Sequence, residues 1–337
     1  MKIFSIALSE QCNLNCAYCN VDKNSKKRID PDIFIQRYRE MREQNPNELI
    51  QIDFYGGEPL LQFDIVQKIV ETLCVEPNIK FFMPTNGLLL TEDKLNFLNK
   101  HKVKLSLSYD GLWQDKNRLQ LNGKVTNDRY LKNKDFFRNI EDVDIHTMIS
   151  RGNYNLLENH LYILNNFGLN PELTLVRDRG IWTDSSVEKL KNGILELFNW
   201  YKLNVDTVEM PNFIQFYLRH VVLYKSKKHE TMTCGAGQSF FAFSENKVVP
   251  CNRFKDEPEI IDKIPEFQLM NECSTCEVRN YCKKGCLYEQ IKNDGPIKEL
   301  CDIYKYIYKE VFIMMSELKN NEKFISVVKK EIQNEFN

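Results

Sequence analysis

The sequence predicts an α/β fold in which six parallel strands alternate with helices and form part of a barrel. Three observations lead to this prediction. Short β-rich runs alternate with amphipathic helical patterns up to about residue 215, glycine-containing turns follow several of these runs directly, and cysteines crowd the region beyond them. Such alternation favours a parallel sheet, because parallel neighbours must be joined by a crossover, which is usually a helix.

Each predicted element follows from a local pattern of apolar residues. The predicted strands are 2–8, 49–55, 79–84, 103–109, 143–149 and 173–176. The predicted helices are 31–44, 63–73, 92–100, 156–167 and 187–203, and further on 303–319 and 324–336. The segment 110–134 is polar and lacks a clear period, and it is expected to be a loop.

Beyond about residue 215 strand-like runs become short and cysteines become dense, and this change predicts that the chain has three parts. Residues 1–215 are expected to form the partial barrel, 216–310 a small domain whose core is partly replaced by metal, and 311–337 a helical tail. In parallel barrels the chemistry lies at the carboxyl ends of the strands.

Composition excludes several classes of function. The 337 residues carry 46 Lys and Arg against 47 Asp and Glu, a formal net charge of -1. This balance creates no field that attracts nucleic acid or an anionic membrane. No apolar run approaches the roughly 18 residues that span a bilayer. The apolar start, 1–8, lacks a cleavage site and is expected to be a strand, which predicts a cytoplasmic protein.

Eleven cysteines are the most informative feature of the composition. Their number is odd and no export signal is present, which argues against disulfides and for metal in a reducing compartment. All except Cys74 fall into two groups with short spacings. Cys74 is expected to be a small buried apolar residue.

The first group is a C-x3-C-x2-C motif, formed by Cys12, Cys16 and Cys19, directly after the first predicted strand. Three thiolates on one loop can hold three irons of a four-iron cubane and leave the fourth iron open to a small molecule. The alternative is a zinc loop. Structural zinc normally takes four ligands, and the nearest histidine in sequence is His101.

Polar, glycine-containing motifs follow the next predicted strands: G-G-E-P at 56–59, T-N-G at 85–87 and S-Y-D-G at 108–111. Together with the cysteine triplet they resemble the radical S-adenosylmethionine (SAM) superfamily. The resemblance implies a SAM-binding [4Fe-4S] cluster on the triplet and a partial (β/α)6 TIM-like barrel. The SAM contacts that it implies are Gly56, Gly57, Glu58, Pro59, Thr85, Asn86, Ser108, Asp110, Ser150 and Arg151. Arg118 is interpreted as a weaker candidate or a surface charge.

The second cysteine group contains a C-x2-C-x5-C-x3-C run and resembles the SPASM domain of radical SAM peptide maturases. The resemblance implies one auxiliary [4Fe-4S] cluster on Cys273, Cys276, Cys282 and Cys301, and another on Cys234, Cys251 and Cys286. Sulfatase maturases have a further cysteine where this chain has Phe240, so the second cluster is expected to have an open iron or a non-cysteine ligand. Asn246 stands where the family has glycine. Structural zinc is the alternative for this region.

The resemblance implies a mechanism in which a 5′-deoxyadenosyl radical removes hydrogen from the substrate and an auxiliary cluster accepts an electron. The predicted function is cross-linking or other modification of a ribosomally made precursor peptide. The expected partners are that peptide and an electron donor of flavodoxin or ferredoxin type. No leader-binding module of about 80 residues is expected before the barrel, so the leader is expected to be recognised either by a separate leader-binding protein or directly by this protein. Nucleic acid and membrane are not expected partners.

Three alternatives remain open from the sequence. They are formylglycine formation on a sulfatase, oxidation of a small haem-related molecule, and a non-catalytic metal scaffold. Phe240 and Asn252 count against the first, because sulfatase maturases have Cys and Asp there. No catalytic acid or base is assigned. Tyr109, Asp110 and Asp115 are candidates, and a structural role is the favoured interpretation of each.

Overall fold

The computed structural model describes residues 1–23, 25–225, 234–261, 271–282 and 285–333. The strands are β1 Lys2–Ala7, β2 Leu14–Cys16, β3 Ile50–Tyr55, β4 Ile79–Thr85, β5 Val103–Ser108, β6 Arg118–Gln120, β7 Val143–Ile149, β8 Glu172–Leu175, β9 Phe240–Ser244 and β10 Lys247–Val249. The helices are α1 Pro31–Gln44, α2 Phe63–Leu73, α3 Glu92–Lys100, α4 Gln114–Asn117, α5 Asn127–Lys132, α6 Lys134–Arg138, α7 Leu156–Phe167, α8 Asp184–Asn204, α9 Asn212–Lys225, α10 Pro258–Ile261, α11 Asn271–Ser274, α12 Leu287–Lys292, α13 Lys298–Glu317 and α14 Glu322–Gln333. In the described ranges, no helix is both long enough and apolar enough to cross a bilayer.

The chain divides into two compact units. The first unit comprises Met1–His146, Asn166–Leu169 and Gly235–Ile261, and the second comprises Thr147–Asn165, Asn170–Cys234 and Asp262–Asn337. Residues distant in sequence therefore meet within each unit. The predicted domain bounds at 215 and 310 fall inside α9 and α13.

The first unit is built on a mainly parallel sheet. Its strand order is β10-β9-β1-β3-β4-β5, followed by the start of β7. The pairs from β1 to β7 are parallel, as are β1 and β9. Alternate residues are buried, as in Ile50, Ile52 and Phe54 of β3, because successive side chains of a strand point to opposite faces. The predicted parallel α/β architecture is confirmed.

Two strands of this sheet come from the cysteine-rich region and were not predicted. β9 pairs in parallel with β1, and β10 returns antiparallel beside β9. Aromatic packing explains the position of β9, since the ring of Phe243 lies 6.3 Å from that of Phe4 and 5.3 Å from that of Phe34 on α1. All three side chains are fully buried. The cysteine-rich region thus contributes to the core of the first unit.

The local predictions hold best where the periodicity is strong. Helices α1, α2, α3 and α7 have the predicted bounds, and the six predicted strands agree within one residue at each end. α8 begins earlier than predicted, at Asp184, because Thr183 and Ser186 form a capping box there. The predicted helices 303–319 and 324–336 correspond to α13 and α14, and residues 334–336 lie outside the described residues.

The prediction of a loop over 110–134 was wrong. The segment contains α4, β6 and α5, and β6 pairs antiparallel with β2. The Asp115 carboxylate also accepts hydrogen bonds from the backbone N–H groups of Thr126 and Asn127, at 2.8 and 2.7 Å. These elements are too short to produce a visible period, and their stability depends on partners distant in sequence.

The second unit contains the end of β7, β8 and long helices. A buried carboxylate joins α14 to α9: Glu331 accepts hydrogen bonds from Gln215 at 2.5 Å and from Arg219 at 2.6 Å. Glu331 is only 1% exposed, so this paired charge fixes one arrangement of the two helices. Lys202 of α8 similarly pairs with Glu317 of α13 at 2.8 Å.

Candidate active site

The first three cysteines lie on a loop that a small antiparallel ladder holds in place. Cys16 at the end of β2 pairs with Arg118 at the start of β6. The ladder continues through Ala17, whose N–H donates to the carbonyl of Asn117 at 2.8 Å, and the Cys19 N–H donates back to the Cys16 carbonyl at 3.1 Å. The cysteine loop is therefore anchored on one side by β6, which lies in the segment 110–134 that was predicted to be a loop.

The three thiols of this loop interact electrostatically with one another. The pKa of Cys12 is raised to about 11, mainly by burial and to a smaller extent by Glu58, Cys16 and Cys19, while a hydrogen bond from the Leu14 N–H lowers it. Burial also raises the pKa of Cys16, partly offset by the charge of Arg118. Cys19 is exposed. A set of three neighbouring soft thiol donors fits an iron–sulfur cluster, whose cationic irons would favour the thiolate forms.

Tyr18, the aromatic residue before Cys19, is held by a buried ion pair. Its hydroxyl donates to Asp110 Oδ2 at 2.7 Å, and Asn117 Nδ2 donates to the same oxygen at 3.0 Å. Arg118 Nε lies 3.1 Å from Asp110 Oδ1, and the guanidinium also covers the Tyr18 ring, 5.4 Å from its centroid. Asp110 is fully buried and Arg118 is 6% exposed. The interpretation of Arg118 as a surface charge was wrong.

The G-G-E-P loop packs directly on the backbone that precedes the cysteines. The Gly57 N–H donates to the Ser9 carbonyl and the Glu58 N–H to the Gln11 carbonyl, both at 2.8 Å. A Cβ added to Gly57 would lie 2.0 Å from the Gln11 carbonyl oxygen, and one added to Gly56 would lie 2.2 Å from that of Ser9. Only glycine permits this approach of the two chain segments.

The carboxylate of Glu58 is largely satisfied within the protein. Oε1 accepts from Thr85 Oγ1 at 2.6 Å and from the Leu60 N–H at 3.0 Å, and Oε2 accepts from the Asn86 N–H at 2.8 Å. Burial raises the pKa of Glu58, whereas these hydrogen bonds lower it. Glu58 thus joins the end of β3 to the end of β4. Pro59 follows it, buried, as the first residue of a 3-10 helix over Pro59–Gln62.

Asn86 joins the T-N-G turn to the cysteine loop. Its Nδ2 donates to Asn13 Oδ1 at 2.7 Å, and its own carbonyl accepts from the buried Tyr130 hydroxyl at 2.6 Å. Asn13 and Tyr130 were not singled out from the sequence, and neither belongs to a recognisable local motif. The predicted residues around Cys12 are therefore brought together partly by residues that only the fold identifies.

The remaining predicted SAM contacts and acid–base candidates differ in their surroundings. Ser108 is half-buried at the end of β5. Ser150 and Arg151 belong to the second unit, where Ser150 is buried near Asn153 and Arg151 is exposed. Tyr109 is fully buried and donates a 2.6 Å hydrogen bond to Asn127. The hydrogen bonds described for Tyr109, Asp110 and Asp115 are all to other groups of the protein.

The second unit contains a cavity of about 350 Å³ lined by five cysteines. They are Cys273, Cys276, Cys282, Cys286 and Cys301. The pKa of Cys301 is raised to about 12, mainly by burial and to a smaller extent by Cys282, Cys273 and Cys276. These four thiols are the set that the resemblance assigned to one auxiliary cluster, and the structure places Cys286 in the same wall.

The chemistry of this cavity bears on what it can hold. Thiolates are the usual ligands of iron–sulfur clusters, and a set of four cysteines also forms structural zinc sites. The five thiols that line the cavity therefore supply the donor chemistry of an iron–sulfur cluster, and structural zinc remains the alternative.

Cys234 and Cys251 fall in different units. Cys234 is exposed in the second, whereas Cys251 is half-buried in the first, directly before a 3-10 helix over Asn252–Phe254. Lys255, just beyond, forms an ion pair with Glu10 of the cysteine loop. Asn246 has φ +62°, a left-handed conformation that asparagine tolerates, so the turn expected at this departure from the family pattern is present.

Cys74 is exposed at the end of α2, with its thiol 3.6 Å from the Glu71 carbonyl oxygen. The expectation of burial was wrong, because the position follows the last apolar residue of the helix stripe, Leu73, and faces outward.

Comparison with known proteins agrees with this geometry. A family model described as Radical SAM superfamily matches residues 6–161. The chain is similar to the radical SAM cyclopropyl synthase TigE of Paramaledivibacter caminithermalis, with 21% identity over 358 residues that cover 92% of this chain and 74% of TigE.

Two solved structures share the fold. Native anSMEcpe with bound AdoMet superimposes with a TM-score of 0.74 and 19% identity, covering 95% of this chain and 99% of the other. Streptococcus suis SuiB bound to the precursor peptide SuiA gives a TM-score of 0.57 and 17% identity, covering 88% of this chain and 74% of SuiB. The chain therefore contains a radical SAM domain in residues 6–161, and the cysteine loop and the loops packed against it lie within that domain.

Proposed function

We propose that the protein is a peptide maturase that oxidatively cross-links or otherwise modifies a ribosomally made precursor peptide. The observation that carries this proposal is the cysteine-lined cavity of the second unit. A radical SAM enzyme needs only one cluster to cleave SAM. Further thiol-held clusters provide a place for the electron that a substrate radical loses when it is oxidised to product.

The peptide substrate is supported by similarity in fold. SuiB, which shares the fold over 88% of this chain, has been solved with its precursor peptide bound. TigE, a cyclopropyl synthase, aligns over 92% of this chain. A precursor peptide is therefore the substrate class that we propose, with a separate leader-binding protein and a flavodoxin- or ferredoxin-type donor as partners.

In this proposal each predicted site residue has a role. Cys12, Cys16 and Cys19 hold the radical SAM cluster, which with bound SAM supplies the 5′-deoxyadenosyl radical that removes a hydrogen atom from the substrate. The G-G-E-P and T-N-G loops bind and orient SAM through their backbone, since Glu58 is itself engaged by Thr85 and the Asn86 N–H. The Arg118–Asp110 pair keeps the cysteine loop in one conformation.

The auxiliary sites follow the same proposal. Cys273, Cys276, Cys282 and Cys301 hold one [4Fe-4S] cluster, and Cys234, Cys251 and Cys286 hold another that has a non-cysteine ligand or an open iron. Residues 216–310 are the auxiliary-cluster region, 1–215 the barrel and 311–337 the helical tail.

Formylglycine formation is the second candidate, and one observation favours it: anSMEcpe gives the higher TM-score of the two structures, 0.74 against 0.57. Two residues count against it. Phe240 pairs with Ile3 in the sheet, so no thiol is available at the position of the expected cysteine. Asn252 stands in place of the expected Asp, and a neutral amide cannot supply the same charge.

The test combines iron analysis with product analysis. After anaerobic reconstitution we expect about twelve irons per chain, four for each cluster. A Cys12→Ala/Cys16→Ala/Cys19→Ala variant should hold about four fewer and release no 5′-deoxyadenosine from SAM under dithionite. Cys74→Ala is the matched control, since this exposed thiol lies outside both groups, and it should match wild type.

The substrate is tested by mass spectrometry of a short peptide encoded beside the gene. A cross-linked peptide should lose the mass of two hydrogens for each bond formed. A peptide that remains unmodified while a sulfatase-derived peptide gains formylglycine would replace this proposal with the second candidate. About four irons in wild type would remove the auxiliary clusters from the proposal.

A further inference from the structure

Arg177 is a half-buried cation in the second unit. It follows β8 directly, after Val176, and its guanidinium hydrogen-bonds to the hydroxyl of Tyr304. Its Nε is buried and has no hydrogen-bond partner within the described residues. No salt bridge joins Arg177 to a carboxylate in the same part of the chain.

The neighbours of Arg177 cannot balance its charge. Tyr304 and Tyr217 are 8% and 5% exposed, and their ring centroids lie 6.3 Å apart. Burial raises the pKa of both phenols above the ordinary value, so they are neutral at pH 7. A buried polar atom without a partner costs free energy, so an anion beside the buried Nε would stabilise this position.

The thiol of Cys286 is close enough to interact electrostatically with Arg177. Cys286 and Tyr304, the hydrogen-bond partner of Arg177, both line the five-cysteine cavity. Arg177 thus contacts one residue of the cavity lining, Tyr304, and interacts electrostatically with another, Cys286.

The loop around Arg177 is anchored on both sides. Trp182 Nε1 donates to the Val176 carbonyl at 2.9 Å. Arg179 donates to the Gly295 carbonyl at 3.1 Å, one residue before Pro296 of the cavity wall. The loop therefore holds the guanidinium near the cavity without help from a ligand.

We propose that Arg177 is the counter-ion of the iron–sulfur cluster held by Cys286, and that its charge raises the reduction potential of that cluster. The inference rests on the proposed function, because it needs an auxiliary cluster. Thiolate-ligated clusters carry net negative charge, which becomes more negative on reduction, and net charge and nearby groups set their potentials. A fixed positive charge therefore stabilises the reduced form. The cluster becomes a better acceptor for an electron that leaves a substrate radical.

The test is an anaerobic redox titration of the reconstituted holoprotein, followed by electron paramagnetic resonance. In Arg177→Gln we expect one auxiliary signal to titrate at a more negative potential. At a fixed applied potential, the ratio of reduced to oxidised forms of this cluster should fall about tenfold, which corresponds to about 59 mV for a one-electron couple. The radical SAM cluster should not shift, and Arg177→Lys, which keeps the charge, should recover much of the potential.

Lys319→Gln is the matched control. It removes one positive charge from an exposed side chain of the second unit that does not anchor the Arg177 loop, and it should leave every potential unchanged. An equal shift in Lys319→Gln would show that general charge, and not Arg177, sets the potential.

Three further outcomes would overturn the inference. Full iron content with unchanged potentials in Arg177→Gln would do so directly. A raised KM for a carboxylate-bearing peptide, with unchanged potentials, would assign Arg177 to the substrate instead. An iron content of the wild-type protein that accounts only for the radical SAM cluster would show that the auxiliary clusters are absent. The inference would then fail together with that part of the proposed function.

Discussion

The Tyr18 hydroxyl donates a 2.7 Å hydrogen bond to the buried carboxylate of Asp110, 92 residues further along the chain. This bond joins the cysteine loop to the turn after β5. A hydrogen bond to a charged group contributes about 1.5–3 kcal/mol. The conformation of the cysteine loop thus depends on a residue that the sequence placed in a separate motif.

Tyr18→Phe removes only the donor of this bond. We expect a loss of about 1–3 kcal/mol in the free energy of unfolding, measured by anaerobic urea denaturation, with faster loss of iron to a chelator. Tyr154→Phe is the control, because the Tyr154 hydroxyl makes no hydrogen bond among the described residues. If both variants retained wild-type stability and iron, the Tyr18 bond would have no role in holding the loop.

Arg118→Met leaves Asp110 as a buried charge without its cation. We expect the free energy of unfolding to fall by about 3–5 kcal/mol, because removing one partner of a buried ion pair leaves the other charge buried without compensation. The Asp110→Asn/Arg118→Met double variant should lose less than the sum of the single losses, since the two residues are in contact. Additive losses in this double-mutant cycle would show that the pair is not coupled.

Gly57→Ala places a methyl group where the Gln11 carbonyl oxygen now lies, 2.0 Å from the ideal Cβ. The G-G-E-P loop must then move away from the cysteine loop, and we expect SAM affinity to fall at least tenfold, or about 1.4 kcal/mol, by equilibrium dialysis. Gly123→Asn is the control, because no atom lies within 4 Å of a Cβ there and asparagine tolerates its φ of +78°. Unchanged affinity in Gly57→Ala would place SAM binding elsewhere.

Thr85→Val deprives Glu58 of its 2.6 Å hydrogen bond. We expect a loss of about 1–3 kcal/mol in stability together with weaker SAM binding, whereas Thr85→Ser should preserve both. This pair of variants distinguishes two roles of Glu58, which are to position the T-N-G turn through Thr85 and to contact SAM directly. If Glu58 acted only by direct contact with the SAM ammonium, Thr85→Val would leave the Kd for SAM near that of wild type.

Asp53 predicts a pH dependence of stability. Burial raises its pKa to about 6 from an ordinary value of 3.8, and Gln51 donates a 2.8 Å hydrogen bond that lowers it. The folded state binds the Asp53 proton more tightly than the unfolded state does. Protonation of Asp53 therefore contributes to the free energy of unfolding at low pH. This contribution, at most about 3 kcal/mol, is lost as the pH rises through the pKa of Asp53 in the folded state.

Asp53→Asn should therefore be more stable than wild type at pH 8, by a margin that narrows between pH 8 and pH 5. Thermal denaturation over this range measures the difference. A constant or widening margin for Asp53→Asn toward pH 5 would contradict the raised pKa.

The sequence by itself determined what depends on local spacing and period. The C-x3-C-x2-C loop, the parallel α/β architecture and the bounds of α1, α2, α3 and α7 are all legible within a short stretch of chain. Thiol chemistry and apolar periodicity act over a few residues, so a short window contains their signal.

Only the tertiary structure decided which of these residues meet and which charges are buried. Arg118 is buried rather than exposed, Cys74 is exposed rather than buried, and the carboxylate of Glu58 accepts hydrogen bonds from the protein itself. β9 joins β1 across more than two hundred residues of sequence. These outcomes depend on desolvation and on partners brought together by folding, which no local pattern records.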